Sequence, residues 1–176
     1  GGAIYVEGLD CKVYNSTFRN ILAGDDGGAI LWIDQRGLID NCTFSITNAV
    51  GMNGHHSKGG AVNVVGDYSV ITKSKFEMTS AAIDGGAIYA TGNHINITDS
   101  TFNKCNVSQA YEENYAHGGG AIYVEGVNAL IANSTFDQTH ARIGGTLYID
   151  GRDAVVDNVT ITRTFVSTHG GAIYII

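Results

Sequence analysis

The sequence predicts an all-β chain folded as a right-handed parallel β-helix of about six coils, with ~26 residues and three short strands in each coil. Three features lead to this fold: a glycine pair that recurs along the chain, an aromatic residue at a fixed distance from each pair, and alternating apolar residues between them. A repeat this short cannot bury its own apolar face, so we expect the copies to stack on one another.

The glycine pair divides the chain into repeats, whose positions are numbered here from the first glycine. The starts are Gly1, Gly27, Gly59, Gly85, Gly119, Gly144 and Gly170, separated by 26, 32, 26, 34, 25 and 26 residues. Residues 1–176 are therefore expected to form a single repeat array. Since both ends fall within a repeat, we expect an internal fragment of a longer protein.

Position 18 of the repeat explains why the spacing varies. It holds Phe18, Phe44, Phe76, Phe102, Phe136 and Ile161, each 17 residues after its glycine. All variation in length therefore lies between position 18 and the next glycine pair. This pattern indicates regular structure in the first part of the repeat and a corner that tolerates insertions in the second.

Alternating apolar residues predict the strands. Positions 4 and 6 are mostly branched apolar residues, such as Ile4 and Val6, and are expected to point inward. Position 5 lies between them, is most often Tyr, and is expected to point outward. A second strand follows a turn, and a third, Thr-rich segment follows the Phe. Leucine-rich repeats and propeller blades are disfavoured, because the leucine pattern is absent and the repeat is too short for a blade.

Composition narrows the classes of function. The chain has 44% hydrophobic residues at fixed positions, which argues against disorder, and a net charge of −7, which argues against nucleic-acid partners. No apolar run is long enough to span a bilayer, so no membrane insertion is expected within this chain. The three cysteines cannot form a closed disulfide framework.

The succession GGAIY, a glycine turn and NSTF, then a new GGA, resembles the adhesin-like surface proteins of methanogenic archaea. It is more loosely similar to the passenger repeats of chlamydial polymorphic outer-membrane proteins, although the Phe-x-x-Asn partner of that pattern is missing after Phe18. The resemblance covers nearly the whole chain. It implies a right-handed parallel β-helix with a pectin lyase-like fold, located at the cell surface or outside the cell.

Two long corners and the Tyr column supply the candidate ligand-binding residues. The corners precede Gly59 and Gly119, and polar loops on a rigid scaffold often bind ligands, although neutral drift in a tolerant corner is the simpler explanation of such insertions. Outward Tyr side chains offer surfaces for sugars, although they also favour strand formation. The candidates are His55, His56, Lys58, Tyr89, Tyr111, Tyr115, His117 and Tyr123.

Catalysis and metal binding have weaker support in the sequence. Aligned acidic neighbours occur only at Glu125 and Asp150, and Asp84 is one of several acids scattered over other repeat positions. No nucleophile–base set is visible. The histidines of the two corners lack the convergence that zinc requires, and the nonapeptide calcium motif is absent. We therefore predict no catalytic residue, no metal and no cofactor, and favour a protein that is not an enzyme.

Six sequons are candidates for N-glycosylation. They start at Asn15, Asn41, Asn96, Asn106, Asn133 and Asn158. Four of them, Asn15, Asn41, Asn133 and Asn158, share position 15 of the repeat. Stacked asparagines that bond between coils would explain those four without any sugar.

These features together predict a non-catalytic, adhesin-like segment that binds polysaccharide, or glycans and proteins of another cell surface. Two alternatives remain open. One is a polysaccharide-active enzyme, a lyase, epimerase or hydrolase, whose catalytic coils lie elsewhere. The other is a purely structural stalk at the cell surface.

Overall fold

The computed structural model describes residues 1–51, 56–108 and 118–176, and there the chain consists of strands and turns. The first strands are β1 Ile4–Glu7, β2 Lys12–Tyr14, β3 Thr17–Ala23, β4 Ile30–Ile33, β5 Leu38–Asp40, β6 Thr43–Ala49, β7 Val62–Val65, β8 Val70–Thr72, β9 Lys75–Glu77, β10 Ser80–Ala81, β11 Ile88–Thr91 and β12 Asn96–Thr98. The remaining strands are β13 Thr101–Asn103, β14 Asn106–Val107, β15 Ile122–Glu125, β16 Leu130–Ala132, β17 Thr135–Asp137, β18 His140–Ile143, β19 Leu147–Asp150, β20 Val155–Asp157, β21 Thr160–Thr162, β22 Phe165–His169 and β23 Ile173–Ile175.

The strands pair in parallel and form three sheets. The first sheet has the order β1-β4-β7-β11-β15-β19-β23, and the second has the order β2-β5-β8-β12-β16-β20. The third sheet contains the remaining ten strands, because β3 and β6 are long and each later repeat has two short strands in their place. Equivalent repeat positions pair with one another, as in Ile88↔Ile122. The predicted all-β, parallel architecture is confirmed, and it is consistent with a β-helix or solenoid.

The core consists of columns of like residues. The Phe rings at position 18 stack with centroids 5.0, 4.9, 4.7 and 4.7 Å apart from Phe18 to Phe136. Ile30, Val62, Ile88 and Ile122 of position 4 are fully buried. Burial of such side chains contributes roughly 1.5–3 kcal/mol each, so these columns are the main stabilising element of the fold.

The chain bends at single residues in the left-handed conformation, where a side chain is normally disfavoured. Three repeat positions share this backbone, namely 10, 15 and 20, and all their φ angles lie between 47° and 60°. Position 10 holds Asp10, Arg36, Tyr68, His94, Asn128 and Asp153; position 15 holds Asn15, Asn41, Lys73, Asp99, Asn133 and Asn158; position 20 holds Asn20, Ile46, Met78, Lys104, Gln138 and Arg163. The bend at position 15 ends the second strand, so the Phe belongs to the third strand and not to the second.

The insertions lie where the sequence predicts them, between the third-sheet strands of one repeat and the next glycine pair. Residues 52–55 and 109–117, within the two long corners, fall outside the described part of the chain. Over the described residues, no helix is long and apolar enough to cross a membrane.

Candidate functional site

The residue just before each glycine pair sets one side of the candidate site. This column holds Asp26, Lys58, Asp84, Gly118, Ile143 and His169. The glycine after each column residue donates a backbone hydrogen bond to the column carbonyl of the next repeat, as from Gly27 N to Lys58 O at 3.0 Å and from Gly59 N to Asp84 O at 3.0 Å. Three charged residues from successive repeats therefore lie side by side.

Lys58 is the centre of this group. Its backbone N–H donates to Asp26 Oδ1 at 2.8 Å, and its Nζ donates to the Tyr89 hydroxyl at 2.9 Å. The same Nζ lies 3.7 Å from Asp84 Oδ2 and 4.3 Å from the centroid of the Tyr89 ring. Burial lowers the pKa of Lys58, but the Tyr89 hydroxyl and the carboxylates of Asp84 and Asp26 outweigh it and raise the pKa above its ordinary value.

Asp84 is buried, with only 6% of its surface exposed. Its Oδ1 accepts a hydrogen bond from Gly118 N at 3.1 Å. Burial raises the pKa of Asp84 to about 6, and the Gly118 N–H and the Lys58 ammonium oppose this only in part. Gly118 has no room for a side chain, because a Cβ there would lie 2.4 Å from the Tyr148 ring. The arrangement therefore places a carboxyl group that changes charge near neutral pH beside an ammonium.

The Tyr column borders these charges on the outward face of the first sheet. Tyr89 and Tyr123 stack with centroids 5.0 Å apart, Tyr123 and Tyr148 at 4.6 Å, and Tyr148 and Tyr174 at 5.2 Å. Stacked rings cover each other's faces, so the inner members present ring edges and hydroxyl groups. Tyr89 and Tyr148 are only 6% and 7% exposed, which corrects the expectation of an exposed aromatic row.

The hydroxyl of Tyr89 connects the two sides of the site. It accepts from Lys58 Nζ and donates to Glu125 Oε2 at 3.5 Å. Burial raises the pKa of both Tyr89 and Tyr123, so both phenols stay protonated. Lys58, Asp84, Tyr89, Tyr123 and Glu125 are called the Tyr89 site below. It combines one cation, two carboxyl groups and two phenols from four successive repeats.

The sequence candidates divide into two groups. Lys58, Tyr89 and Tyr123 lie together in the Tyr89 site, whereas His56 is an exposed corner residue. His55, Tyr111, Tyr115 and His117 lie outside the described residues, so their predicted role remains a prediction. In the described ranges, no group of three or more His, Cys, Asp or Glu side chains could hold a metal ion.

The sequence reasoning missed the importance of Asp84, which it treated as one of several scattered acids, and it did not single out Asp26. A signal was present, since both occupy the position just before a glycine pair and Lys58 occupies it in the intervening repeat. Alignment of that column predicts an Asp–Lys–Asp series on neighbouring strands. The burial of Asp84 could not be foreseen, because its environment includes residues distant in sequence, such as Gly118, whose N–H donates to the Asp84 carboxylate.

The sequon asparagines form side-chain bonds between repeats. Asn41 Nδ2 donates to Asn15 Oδ1 at 2.8 Å, and Asn158 Nδ2 donates to Asn133 Oδ1 at 2.9 Å. These four residues are exposed, whereas Asn96 and Asn106 are half-buried within strands. The structure thus supplies the asparagine pairs that the repeat pattern predicts, and glycosylation remains a prediction.

No protein-family model, curated protein or solved structure matches this chain. The resemblance to adhesin-like surface proteins therefore rests on the repeated motif alone. Any function must be argued from the Tyr89 site and its surroundings.

Proposed function

We propose that this chain is a right-handed parallel β-helix of about six coils that binds carbohydrate at the cell surface or outside the cell, without turning it over. In-register parallel pairing of equivalent positions supports the coil arrangement. The resemblance of the GGAIY and NSTF motifs to adhesin-like surface proteins supports the location. The binding surface is the Tyr89 site, and a role for the long corners remains a prediction from the sequence.

The observation that carries the proposal is the partly desolvated charge pair of Lys58 and Asp84, in which Asp84 is buried and Lys58 is half-buried. Removing charges from water is costly, and a buried ion pair is weak support for stability. Two later repeats have the uncharged Gly118 and Ile143 at the same position and keep the same backbone pairing. The fold does not require charge there, so we attribute it to recognition.

The mode of contact follows from the stacked tyrosines. Their faces are covered by neighbouring rings, so a sugar would meet ring edges and hydroxyls and not a stacking platform. The phenols, the Lys58 ammonium and the Glu125 carboxylate together offer hydrogen-bond donors and acceptors. A polyhydroxylated ligand matches this chemistry better than an apolar one.

The test is binding of the purified chain to an array of soluble and immobilised glycans. Tyr89→Phe and Tyr123→Phe remove only the hydroxyls and should together weaken binding about tenfold or more, since each hydrogen bond contributes roughly 0.5–1.5 kcal/mol. Tyr14→Phe removes an exposed hydroxyl from the second sheet and serves as the matched control. Equal loss in the control would contradict the site, and silence of the wild type on all glycans and cells would favour the structural stalk.

A polysaccharide-cleaving enzyme is the second candidate, and the pKa of Asp84 favours it. A carboxyl group with a pKa of about 6 is suited to proton transfer near neutral pH. The protonated Tyr89 phenol and the Lys58 ammonium lie beside it. Release of oligosaccharide fragments by wild type but not by Asp84→Asn, at retained binding, would establish this function in place of simple binding.

A further inference from the structure

We infer that the Tyr89 site selects hydrogen-bond-donating sugars, neutral or amino, and discriminates against uronic acids. This inference rests on the proposed carbohydrate-binding function and specifies its ligand class. It is carried by an excess of acceptors over available donors on the face around Tyr89, and by one buried acceptor that has no donor.

The cation of the site is already engaged by the protein. Lys58 Nζ donates to the Tyr89 hydroxyl at 2.9 Å, lies 3.7 Å from Asp84 Oδ2, and sits over the Tyr89 ring at 4.3 Å. A ligand carboxylate would have to compete with Asp84 for the ammonium. It would also bring a second negative charge next to a buried carboxyl group, which is unfavourable in a low-dielectric environment.

The other charged residues that the structure describes beside Lys58 and Tyr89 are acidic. Asp26 accepts from the backbone of Lys58, and Glu125 accepts from the Tyr89 hydroxyl. Glu125 pairs in register with Asp150 of the next repeat, so their side chains leave the same face of the sheet. Among the described residues, the carboxyl groups of Asp84, Glu125 and Asp150 lie near the Tyr row together with the Lys58 ammonium, and this excess of negative charge repels a polyanion and attracts donors or cations.

Asn63 supplies the second, independent observation. It is 1% exposed, and its Oδ1 has no hydrogen-bond partner. It pairs in register with Tyr89, so its side chain lies on the same face, one strand from the phenol. A buried acceptor without a donor is unfavourable, and a hydroxyl or ammonium group of a ligand would satisfy it. A carboxylate could not, because it has no proton to donate.

The experiment compares three hexasaccharides of equal length by calorimetry at pH 6.5, where a large share of the chitosan amines are protonated: a neutral glucan, a chitosan oligomer and an oligogalacturonate. We expect the first two to bind and the third to bind at least tenfold more weakly. Added salt should weaken chitosan binding and leave glucan binding unchanged, which separates ammonium recognition from hydroxyl recognition.

Asn63→Leu is the matched variant, because Leu31 occupies the equivalent position of the preceding repeat and pairs with Asn63. It should fold and should weaken binding of the glucan about tenfold. Equal or tighter binding of oligogalacturonate, or unchanged affinity in Asn63→Leu, would overturn the inference while leaving carbohydrate binding intact. Absence of binding to all three sugars would overturn the proposed function, and this inference with it.

Discussion

The interior columns and the outward face of the first sheet follow different rules, although both are built from the same repeat. Inside, neighbouring repeats carry like residues at each position. Where one repeat has a larger or smaller side chain at an interior position, a neighbouring position of the same repeat changes size in the opposite sense. Outside, three repeats carry Asp26, Lys58 and Asp84 where the next two repeats have the uncharged Gly118 and Ile143. We infer that repeat positions with the same residue type in every repeat are required by the fold. Positions whose residue type changes from repeat to repeat, with no matching change in a neighbour, are free to serve recognition.

Trp32 and Gly37 show how the interior compensates. Trp32 is the largest residue of the position 6 column, and a Cβ on Gly37 would lie 2.5 Å from its ring. Another repeat reverses the sizes, with the small Ala90 and the large Ile95, both buried. The two positions therefore share one volume, which each repeat divides differently.

The largest effect is expected from breaking the Phe stack. Phe76 is fully buried and stacks on Phe44 and Phe102, so Phe76→Ala should lower the free energy of unfolding by about 3–5 kcal/mol. Chemical denaturation measures this. Phe165, which is exposed, is the control, and a comparably large loss in Phe165→Ala would contradict the distinction between interior and surface.

Asp84 should make stability depend on pH. The pKa of Asp84 is about 6 in the folded protein, which is above its value in the unfolded chain. The contribution of Asp84 to the free energy of unfolding is therefore fully present below about pH 4 and is lost as pH rises through 6. The wild type should lose about 2–3 kcal/mol of unfolding free energy over this window relative to Asp84→Asn. Denaturation of both proteins at several pH values measures the difference.

Asp137 provides a control of opposite sign. Its hydrogen bonds from the Arg163 guanidinium lower the pKa of this carboxyl, so its stabilising contribution is present at neutral pH and is lost in acid. Asp137→Asn should therefore flatten the acid side of the stability profile. For the Asp84 prediction itself, the contradicting result would be a free energy of unfolding that changes with pH equally in Asp84→Asn and wild type between pH 4 and 6. That result would show that Asp84 is not desolvated.

The shared volume of Trp32 and Gly37 gives a double-mutant test. Gly37→Ala should destabilise the chain by about 1–3 kcal/mol through overpacking. Adding Trp32→Val should recover much of this loss, because the resulting Val–Ala pair already exists as Val124 and Ala129. Additive effects in thermal denaturation would mean that the two positions do not share volume.

The smallest effect concerns the left-handed column. Ile46 has φ of 56°, which is unfavourable for a β-branched residue, whereas Asn20 holds the equivalent place at the same φ. Ile46→Asn should stabilise the chain by about 1 kcal/mol. The converse substitution, Asn20→Ile, should destabilise it by a similar amount. Stabilisation by the converse change in equilibrium unfolding would refute the strain argument.

The sequence was sufficient for the parallel sheets, the alignment of the Phe residues at one repeat position and the location of the insertions, because these follow from spacing and periodicity. It did not predict the bends at Arg36, Ile46 or Met78, since left-handed turns are normally recognised by Gly or Asn. It identified Lys58, Tyr89 and Tyr123 as site residues but not their partner Asp84. Burial of Asp84 and Tyr89 depends on contacts with residues 31 to 36 positions away, which a local pattern does not encode.

The three columns of left-handed residues have a consequence for engineering. Their occupants include acids, bases, amides, an aromatic residue and aliphatic residues, so the backbone accepts varied side chains there. Parallel strands are about 4.8 Å apart, so successive side chains of each column follow one another on the surface at about that spacing. Substituting a chosen series of side chains along one of these columns would display chemical groups at a fixed spacing, and the interior residues would stay unchanged.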